Sequence, residues 1–399
     1  MKNIKNILKS VSAFLYIANF TSCNVQESGH YTNLQHIGTQ AVSFTSVISD
    51  TLRLDAGNTS LEGQWLMRDS LIYFADNYVA GIKTYSTDGV YKETNITQGR
   101  GPDEMLSTAW CSAIDQYNGT FVFQDKNSAL QIFSSDGKHK VLDTRSAWFT
   151  QLGDNFGKSE WRELKQKPDP EIPQMYEYRY ECDRMLSYNG SVILPVTTEH
   201  VDYNGFAKSA KASEYWRDSY IFITFNAEDI ADTKHLFGHY PPVYHKKNIP
   251  AFSEYDFCFL DKERLLVSFA ADPDMYIMKL DGTVENSVGF ADKNISCDYP
   301  QTRTFIDYEE NVRVHREKYG YYGRLSHCGG FIFRTCRCNS GIWKLQVYDE
   351  STFDMVGNIE LGIKPLEIIG FHDGYFYAYR DIDLHKEEFI LLRFRIGKS

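Results

Sequence analysis

The chain has 399 residues and a formal net charge of −11 at pH 7, which makes nucleic acid and anionic lipid poor partners. Aromatic residues make up 15% of the chain, with Tyr and Phe far ahead of Trp, and this composition favours strands over helices. The length allows one or two ordinary domains, or one closed repeat architecture that grows by adding units.

Residues 1–22 have the pattern of an export signal. Three lysines, Lys2, Lys5 and Lys9, form a basic start, and an apolar run follows from residue 7 to residue 20. This run is too short to span a bilayer, so it predicts a cleaved signal rather than a transmembrane helix. Removal of the three lysines changes the net charge from −11 to −11 − 3 = −14.

The stretch Phe20-Thr21-Ser22-Cys23 resembles a lipobox, although Phe20 departs from the usual Leu or Val. The resemblance implies cleavage before Cys23, a lipid on its thiol, and therefore contact with a membrane through that lipid. Asn24 is not an inner-membrane retention signal, so we expect an outer-membrane lipoprotein that faces the periplasm or the surface. The alternative is an ordinary signal peptide with an incidental cysteine.

The polar segment over residues 23–40 is predicted to tether the lipid to a folded domain over residues 41–399. Within that domain one pattern recurs six times: an apolar strand, a polar break and one or two further alternating strands. Three copies contain an Asp-Gly pair, which is typical of a tight hairpin turn. The six copies begin near Leu71, Thr120, Ser191, Arg264, Gly330 and Gly374.

A meander of this size cannot bury both of its faces alone, and radial stacking solves that problem. We therefore predict an all-β fold, a six-bladed β-propeller with long loop insertions and one short helix. The last copy lacks a fourth strand, which the segment Ala41–Asp55 can supply, so the N-terminus closes the ring. A two-sheet β-sandwich, or a pair of them, is the competing interpretation.

The loop between the first two copies reads Gln-Gly-Arg-Gly-Pro-Asp-Glu-Met over residues 98–105. It resembles the first inter-blade loop of the TolB-like six-bladed propeller lipoproteins of gut Bacteroidetes, which reads Gly-x-Gly-Pro-Gly-Glu-Phe or close to it. The matching residues are Gly99, Gly101, Pro102 and Glu104, whereas Asp103 and Met105 depart. The resemblance implies fold and location, because no general activity is established for that family.

Two physical interpretations of this loop remain open. Glycines on both sides of Arg100 permit a backbone nest that binds an anion, with Arg100 supplying the charge. Alternatively, the loop is a tight turn in which the Glu104 carboxylate accepts backbone hydrogen bonds.

Four inter-strand segments are unusually long, at 144–178, 199–219, 238–253 and 291–322. The first two carry aromatic residues that suit either sugar stacking or a protein interface, and packing onto the blades is the third option. In the last segment apolar residues recur at helical spacing, which predicts a short amphipathic helix that packs on the propeller. The candidate ligand or partner residues of these loops are Trp148, Trp161, Tyr203 and Trp216, beside Arg100 and Glu104 of the first loop.

Local catalytic motifs do not occur in the sequence: it has neither Gly-x-Ser-x-Gly nor His-Glu-x-x-His. We therefore assign no catalytic residue, no metal ligand and no cofactor. The preferred hypothesis is a lipid-anchored, non-catalytic propeller that binds a protein partner or a glycan through loops on one face. The alternative is a metal-assisted hydrolase, lactonase or lyase whose site lies in the central channel and whose ligands come from separate blades.

Overall fold

The computed structural model describes residues 29–44, 47–79, 81–101, 104–127, 129–143, 158–198, 200–206, 209–226 and 235–396. Over these ranges the chain forms six small sheets in a ring, and this confirms the predicted six-bladed β-propeller. The predicted signal peptide, Cys23, Pro102 and Trp148 lie outside the described residues.

The blades are numbered in chain order, and most have four antiparallel strands. Blade 3 has an extra short strand at its inner edge, and blades 4 and 5 each gain a fifth strand from the N-terminus. The N-terminal strands are β1 (Gln35–Ile37), β2 (Gln40–Phe44) and β3 (Val47–Asp55). Blade 1 contains β4 (Gly63–Arg68), β5 (Leu71–Asp76), β6 (Ile82–Ser86) and β7 (Tyr91–Asn95), and blade 2 contains β8 (Ala109–Ile114), β9 (Phe121–Asp125), β10 (Ala129–Phe133) and β11 (His139–Asp143). Blade 3 contains β12 (Tyr176–Tyr178), β13 (Leu186–Tyr188), β14 (Ser191–Thr198), β15 (Tyr220–Asn226) and β16 (His235–His239), and blade 4 contains β17 (Tyr255–Phe259), β18 (Arg264–Phe269), β19 (Met275–Lys279) and β20 (Val284–Val288). Blade 5 contains β21 (Tyr321–Cys328), β22 (Phe331–Arg337), β23 (Trp343–Asp349) and β24 (Met355–Gly362), and blade 6 contains β25 (Glu367–His372), β26 (Tyr375–Asp383) and β27 (Glu388–Ile396), with β3 as its outer strand.

The innermost strands surround the channel in the order of the blades. Neighbouring contacts join β13 to β8, β8 to β4, β4 to β25, β25 to β21 and β21 to β17. Between blades 3 and 4 the Tyr255 hydroxyl donates to the carbonyl of Ile221 at 2.6 Å. The ring of blades is therefore continuous.

The core lies between adjacent blades, where aromatic rings from facing sheets touch. Ring centroids are 4.7 Å apart for Phe222 and Phe257, between blades 3 and 4. They are 4.5 Å apart for Phe74 and Phe389, which join blades 1 and 6. Phe and Tyr side chains thus fill the wedge-shaped spaces between adjacent blades, which small residues would leave open.

The Asp-Gly hairpins form, with one difference from the expected turn. Only the glycines have positive φ, at 84° for Gly89, 80° for Gly137 and 87° for Gly282. In the first hairpin the Gly89 amide donates to the Ser86 carbonyl, and the Ser86 amide donates to the Val90 carbonyl. This is a three-residue loop in which glycine alone occupies the left-handed position.

The N-terminal segment closes the ring as predicted, because β3 pairs with β27 along its full length and becomes the outer strand of blade 6. Two further pairings were not predicted: β1 runs parallel to β20 on blade 4, and β2 runs parallel to β24 on blade 5. We call residues 29–44 the strap, since they follow the outer edges of two blades. Residues 29–40, predicted as tether, therefore pack on the propeller.

The prediction of one helix was too low, because the described chain contains four. They are α1 (Lys158–Gln166), α2 (Ser209–Asp218), α3 (Pro242–Lys246) and α4 (Phe305–Lys318). The predicted helix is α4, whose Tyr308 and Val312 pack against the main core, while Phe305 is half exposed. The other three lie within the predicted long loops, where aromatic content concealed the helical pattern.

Candidate binding site in the central channel

The channel contains a cavity of about 370 Å³, which is within the usual size range of small-molecule sites. All six innermost strands or the residues beside them line it. Its polar lining includes Gln64, Ser112, Asp183, Arg184, Ser187, Ser326, His327 and Glu367.

One polar chain crosses the channel from blade 1 to blade 5. The Gln64 amide nitrogen donates to Asp183 Oδ1 at 2.8 Å, and its amide oxygen accepts from the Ser112 hydroxyl at 3.0 Å. Asp183 Oδ2 in turn accepts from Arg324 Nη2 at 2.9 Å. Four side chains from four parts of the ring thus fix one another's orientation.

A second polar pair joins blades 3, 4 and 5. Arg184 Nε lies 3.2 Å from Asp256 Oδ1, and Arg184 Nη1 donates to the carbonyl of Leu325 at 2.5 Å. The other carboxylate oxygen of Asp256 accepts from the Leu325 amide at 2.8 Å. Because both charged groups are mostly buried and each has more than one partner, their geometry is fixed before any ligand arrives.

Burial and three nearby carboxylates both act on the pKa of Arg324. Burial favours a lower pKa, but the carboxylates of Glu367, Asp256 and Asp183 together raise the pKa of Arg324 above its usual value. Solvent still reaches 33% of its side chain, which lines the second cavity described next and not the channel cavity itself. Arg324 is therefore permanently charged and open to a ligand.

A second cavity of about 250 Å³, the outer chamber, lies at the mouth beneath α4. The Arg316 guanidinium lies 4.1 Å from the centre of the Tyr321 ring and 2.9 Å from a Glu254 carboxylate oxygen. Trp343 forms another wall, with its ring edge towards Tyr321 at 5.7 Å. Arg324 and Asp256 line this chamber and pair with Asp183 and Arg184 of the channel cavity, so the outer chamber adjoins the channel cavity.

The opposite end of the channel contains His327. Its Nδ1 lies 2.8 Å from the carbonyl of Phe259, and its Nε2 lies 2.7 Å from a Glu350 carboxylate oxygen. The carbonyl and the carboxylate both orient the imidazole, which fixes this end of the cavity.

In the described part of the loop, residues 98–101 and 104–105, the Glu104 carboxylate accepts a backbone hydrogen bond, as the tight-turn interpretation expects. The Gly101 amide donates to Glu104 Oε2 at 2.6 Å, so the chain's own carboxylate occupies the position that a bound anion would need. A Cβ added to Gly99 would lie 1.9 Å from the same oxygen, which explains the glycine. Arg100 is exposed and does not line either cavity.

Two of the aromatic loop residues, Tyr203 and Trp216, are buried and line neither cavity. Tyr203 is 5% exposed and Trp216 is 2% exposed, and both belong to the main core. The Trp216 indole donates to Asn248 Oδ1 at 2.8 Å and stacks on Tyr244 at 5.4 Å. Trp161 lies in α1. The two buried rings stabilise loop insertions and offer no surface to a ligand.

Sequence reasoning missed the channel residues Gln64, Asp183, Arg184, Asp256, Arg324 and Glu367. They are separated by up to 303 positions and form no compact motif, so only ring closure brings them together. One signal was available: Asp183 and Arg184 are adjacent charges just before a short apolar strand, β13.

The alternative hypothesis requires metal ligands that separate blades contribute to the channel. Over the described ranges no group of three or more His, Cys, Asp or Glu side chains could hold a metal ion. Asp183 and Asp256 are already paired with guanidinium groups, which occupy the positions that a cation would take. Over the same ranges no helix is long and apolar enough to cross a membrane.

Fold and channel together define this protein as a six-bladed β-propeller with a polar central cavity. No protein-family model and no curated protein matches the sequence. Among solved structures, the chain is similar to a DUF4221 family member from Bacteroides vulgatus, with 11% identity, a TM-score of 0.64, and coverage of 89% of this chain and 99% of that one. It is also similar to a Bacteroides fragilis protein described as exported, with 12% identity, a TM-score of 0.51, and coverage of 91% and 100%.

At these identities the similarity shows the fold. It agrees with the propeller that the loop resemblance implied, and neither neighbour identifies the TolB-like family itself.

Proposed function

We propose that this protein is an exported, lipid-anchored propeller of the cell envelope that binds a glycan in its central channel without chemical turnover. The observation that carries the proposal is a fixed polar network: Gln64 and Asp183 line a cavity of about 370 Å³, and Asp183 is bonded to Arg324 of the adjoining outer chamber. Pre-oriented amide, carboxylate and guanidinium groups suit a ligand rich in hydroxyl groups, since each group donates or accepts in a defined direction.

The position of the aromatic residues favours the channel over the loops. The rings of Tyr203 and Trp216, which the sequence suggested for partner binding, are buried in the core. Trp343, in contrast, lines the outer chamber and is only partly buried, so a sugar ring can contact it on the way into the channel. A cavity of this size admits a sugar unit and excludes a folded protein.

Two observations support the anchored, exported location. The first is the lipobox-like stretch that ends at Cys23. The second is the similarity in fold to a Bacteroides fragilis protein described as exported.

The test is a glycan array probed with the mature protein and with Arg324→Met, which removes the guanidinium but retains a chain of similar length. We expect specific glycan binding by the wild type, loss of that binding in Arg324→Met, and no loss in the control Arg264→Met, whose side chain is exposed on blade 4. Circular dichroism establishes that both variants fold.

Glycan binding that survives Arg324→Met would contradict the channel as the site. The absence of any glycan signal, together with capture of an envelope protein after gentle crosslinking, would instead support a protein partner.

A further inference from the structure

Trp343 lines the outer chamber with an aromatic ring that the core only partly buries. Its indole nitrogen makes no hydrogen bond with any residue in the part of the chain that the structure describes. Trp216, in contrast, is 2% exposed and donates to Asn248. Trp343 therefore retains both ring surface and a hydrogen-bond donor for a ligand.

The neighbouring strand β21 fixes the position of this ring. A Cβ added to Gly323 would lie 3.3 Å from Trp343 Cζ3 and 2.8 Å from Thr335 Oγ1. The φ of Gly323 is outside the left-handed region, so close packing, rather than the backbone conformation, requires glycine at this position. Tyr321 contacts the same tryptophan ring at 5.7 Å in a perpendicular arrangement. The aromatic surface of the chamber is thus in place before a ligand arrives, which lowers the cost of binding.

Every charged side chain that lines the outer chamber lies beside a group of opposite charge. The pairs are Glu254 with Arg316 at 2.9 Å, Asp256 with Arg184 at 3.2 Å, Arg324 with Asp183 at 2.9 Å, and Glu181 with Arg179 at 3.8 Å. A ligand that brought a charge of either sign would lose hydration without meeting an uncompensated charge in return. The chamber therefore favours an uncharged ligand.

Two of these pairs retain hydrogen-bonding capacity for hydroxyl groups. Glu254 pairs with Arg316 through Oε1, and over the described ranges no donor reaches its Oε2. Arg324 donates to Asp183 through Nη2, while its Nη1 makes only a 3.4 Å contact with the Cys182 carbonyl. The chamber thus offers an acceptor, a donor and an aromatic ring to the same ligand.

We infer that the outer chamber is the subsite for one uncharged pyranose unit, whose C–H face packs on Trp343 and whose hydroxyl groups bond Glu254 and Arg324. This inference rests on the proposed function and names the position and the class of the sugar. A ring with an apolar face and polar edges matches a lining of this composition. The volume of about 250 Å³ is below the usual range of drug-sized sites, which suits a single ring.

The experiment is isothermal titration of the mature protein at pH 6 with two matched series of probes. Each series contains a methyl glycoside, of glucose or of galactose, with its uronic acid and its 2-amino derivative. We expect the uncharged glycoside of at least one series to bind at least about tenfold more tightly than both of its charged derivatives, because a charge in the chamber gains no partner.

Substitution of the tryptophan tests the position of the site. Trp343→Leu should weaken binding of the preferred glycoside at least about tenfold, and Trp343→Phe should weaken it less, because a ring remains. The control Trp110→Leu, at an exposed tryptophan that lines neither cavity, should bind as the wild type does. Circular dichroism establishes that the three variants fold.

Equal or tighter binding of a charged derivative would overturn the uncharged class while leaving a glycan-binding propeller intact. Binding that both Trp343 variants leave unchanged would overturn the outer chamber as the subsite. Failure of every probe to bind would overturn the inference, and a glycan array without signal in addition would overturn the proposed function as well.

Discussion

At the scale of single residues, Glu104 substitutes for an external anion in the loop that joins blades 1 and 2. Its carboxylate accepts from the Gly101 amide and lies 1.9 Å from the position of a Cβ added to Gly99, so the amide that an external anion would bind is already paired. The choice between anion nest and tight turn depended on where one side chain points, which the loop sequence leaves open.

We expect Gly99→Ala to destabilise the fold by about 1–3 kcal/mol, because the new Cβ would lie 1.9 Å from Glu104 Oε2 and would displace the carboxylate. Urea-induced unfolding monitored by tryptophan fluorescence measures the change. Gly29→Ala is the matched control, since nothing lies within 4 Å of its added Cβ, and it should leave the stability unchanged.

We expect the buried Arg184–Asp256 pair to contribute much more to the free energy of unfolding than an exposed ion pair does. Asp256→Ala should cost about 3–5 kcal/mol of unfolding free energy, because it leaves the Arg184 guanidinium uncompensated in a mostly buried position. The exposed pair Lys262–Glu263 on the same blade is the control, and Glu263→Ala should cost less than about 0.5 kcal/mol. Equal effects of the two substitutions in chemical denaturation would show that the channel pair is solvated.

Burial raises the pKa of Asp272 to about 6, and this shift determines how the free energy of unfolding changes with pH. The folded protein retains a proton that the unfolded chain releases near pH ~3.9, so the stabilising contribution is complete below that pH and is lost as pH rises through 6. Asp272→Asn should therefore be more stable than the wild type at pH 7.5, by about 2 kcal/mol. The difference should vanish at pH 4.

Asp281→Asn, on the same blade, is a control for which the expected change in stability has the opposite sign. Hydrogen bonds from the backbone and side chain of Thr283 lower the pKa of Asp281, so this substitution should reduce stability at pH 7.5 and lose its effect in acid. Thermal unfolding of both variants from pH 4 to pH 7.5 distinguishes the two signs. A parallel pH profile for Asp272→Asn and the wild type would contradict a raised pKa.

At the scale of elements, the strap is the feature that the strand pattern did not reveal. It covers the outer edges of β20 and β24, and Tyr31 anchors its start by packing edge-on to Tyr276 at 4.8 Å and donating to the His239 carbonyl. Covered edges cannot pair with another chain, so the strap protects two blades from edge-to-edge association.

Two truncations test how much the strap and strand β3 each contribute to stability. Relative to a chain that begins at residue 29, a chain that begins at residue 47 should lose at least about 2 kcal/mol, the contribution of burying one large side chain such as Tyr31. It should also associate with itself more readily. A chain that begins at residue 56 lacks β3 and the buried Leu54, and should show no cooperative unfolding. Calorimetry and light scattering measure both effects, and equal stability of the first two chains would refute the role of the strap.

The outer strands could be predicted because they alternate and end in Asp-Gly turns. The inner strands β4 and β8 were missed, since Gln64 and Ser112 interrupt their apolar pattern at the positions that face the channel. The residues that make the candidate site are thus the ones that weakened the strand signal.

At the scale of the whole molecule, the proposed attachment to a membrane depends on Cys23, which lies outside the described residues. We expect Cys23→Ala to abolish incorporation of an alkyne-labelled fatty acid and to move the protein out of the membrane fraction, because a thiol is the required acceptor. Cys297→Ala, at an exposed cysteine of the propeller, should change neither property. Unaltered membrane association of Cys23→Ala would contradict the lipoprotein assignment.

The sequence by itself determined the six-fold strand repeat, the closing N-terminal strand and the presence of a helix within residues 291–322, because these depend on local periodicity and turn chemistry. Tertiary structure alone decided which side chains meet in the channel and which aromatic rings are buried. Asp183 and Arg324 are 141 positions apart, and Gln64 and Glu367 are 303 apart. Only the closed ring brings such residues within reach of one ligand, because no local pattern encodes a distance across the channel.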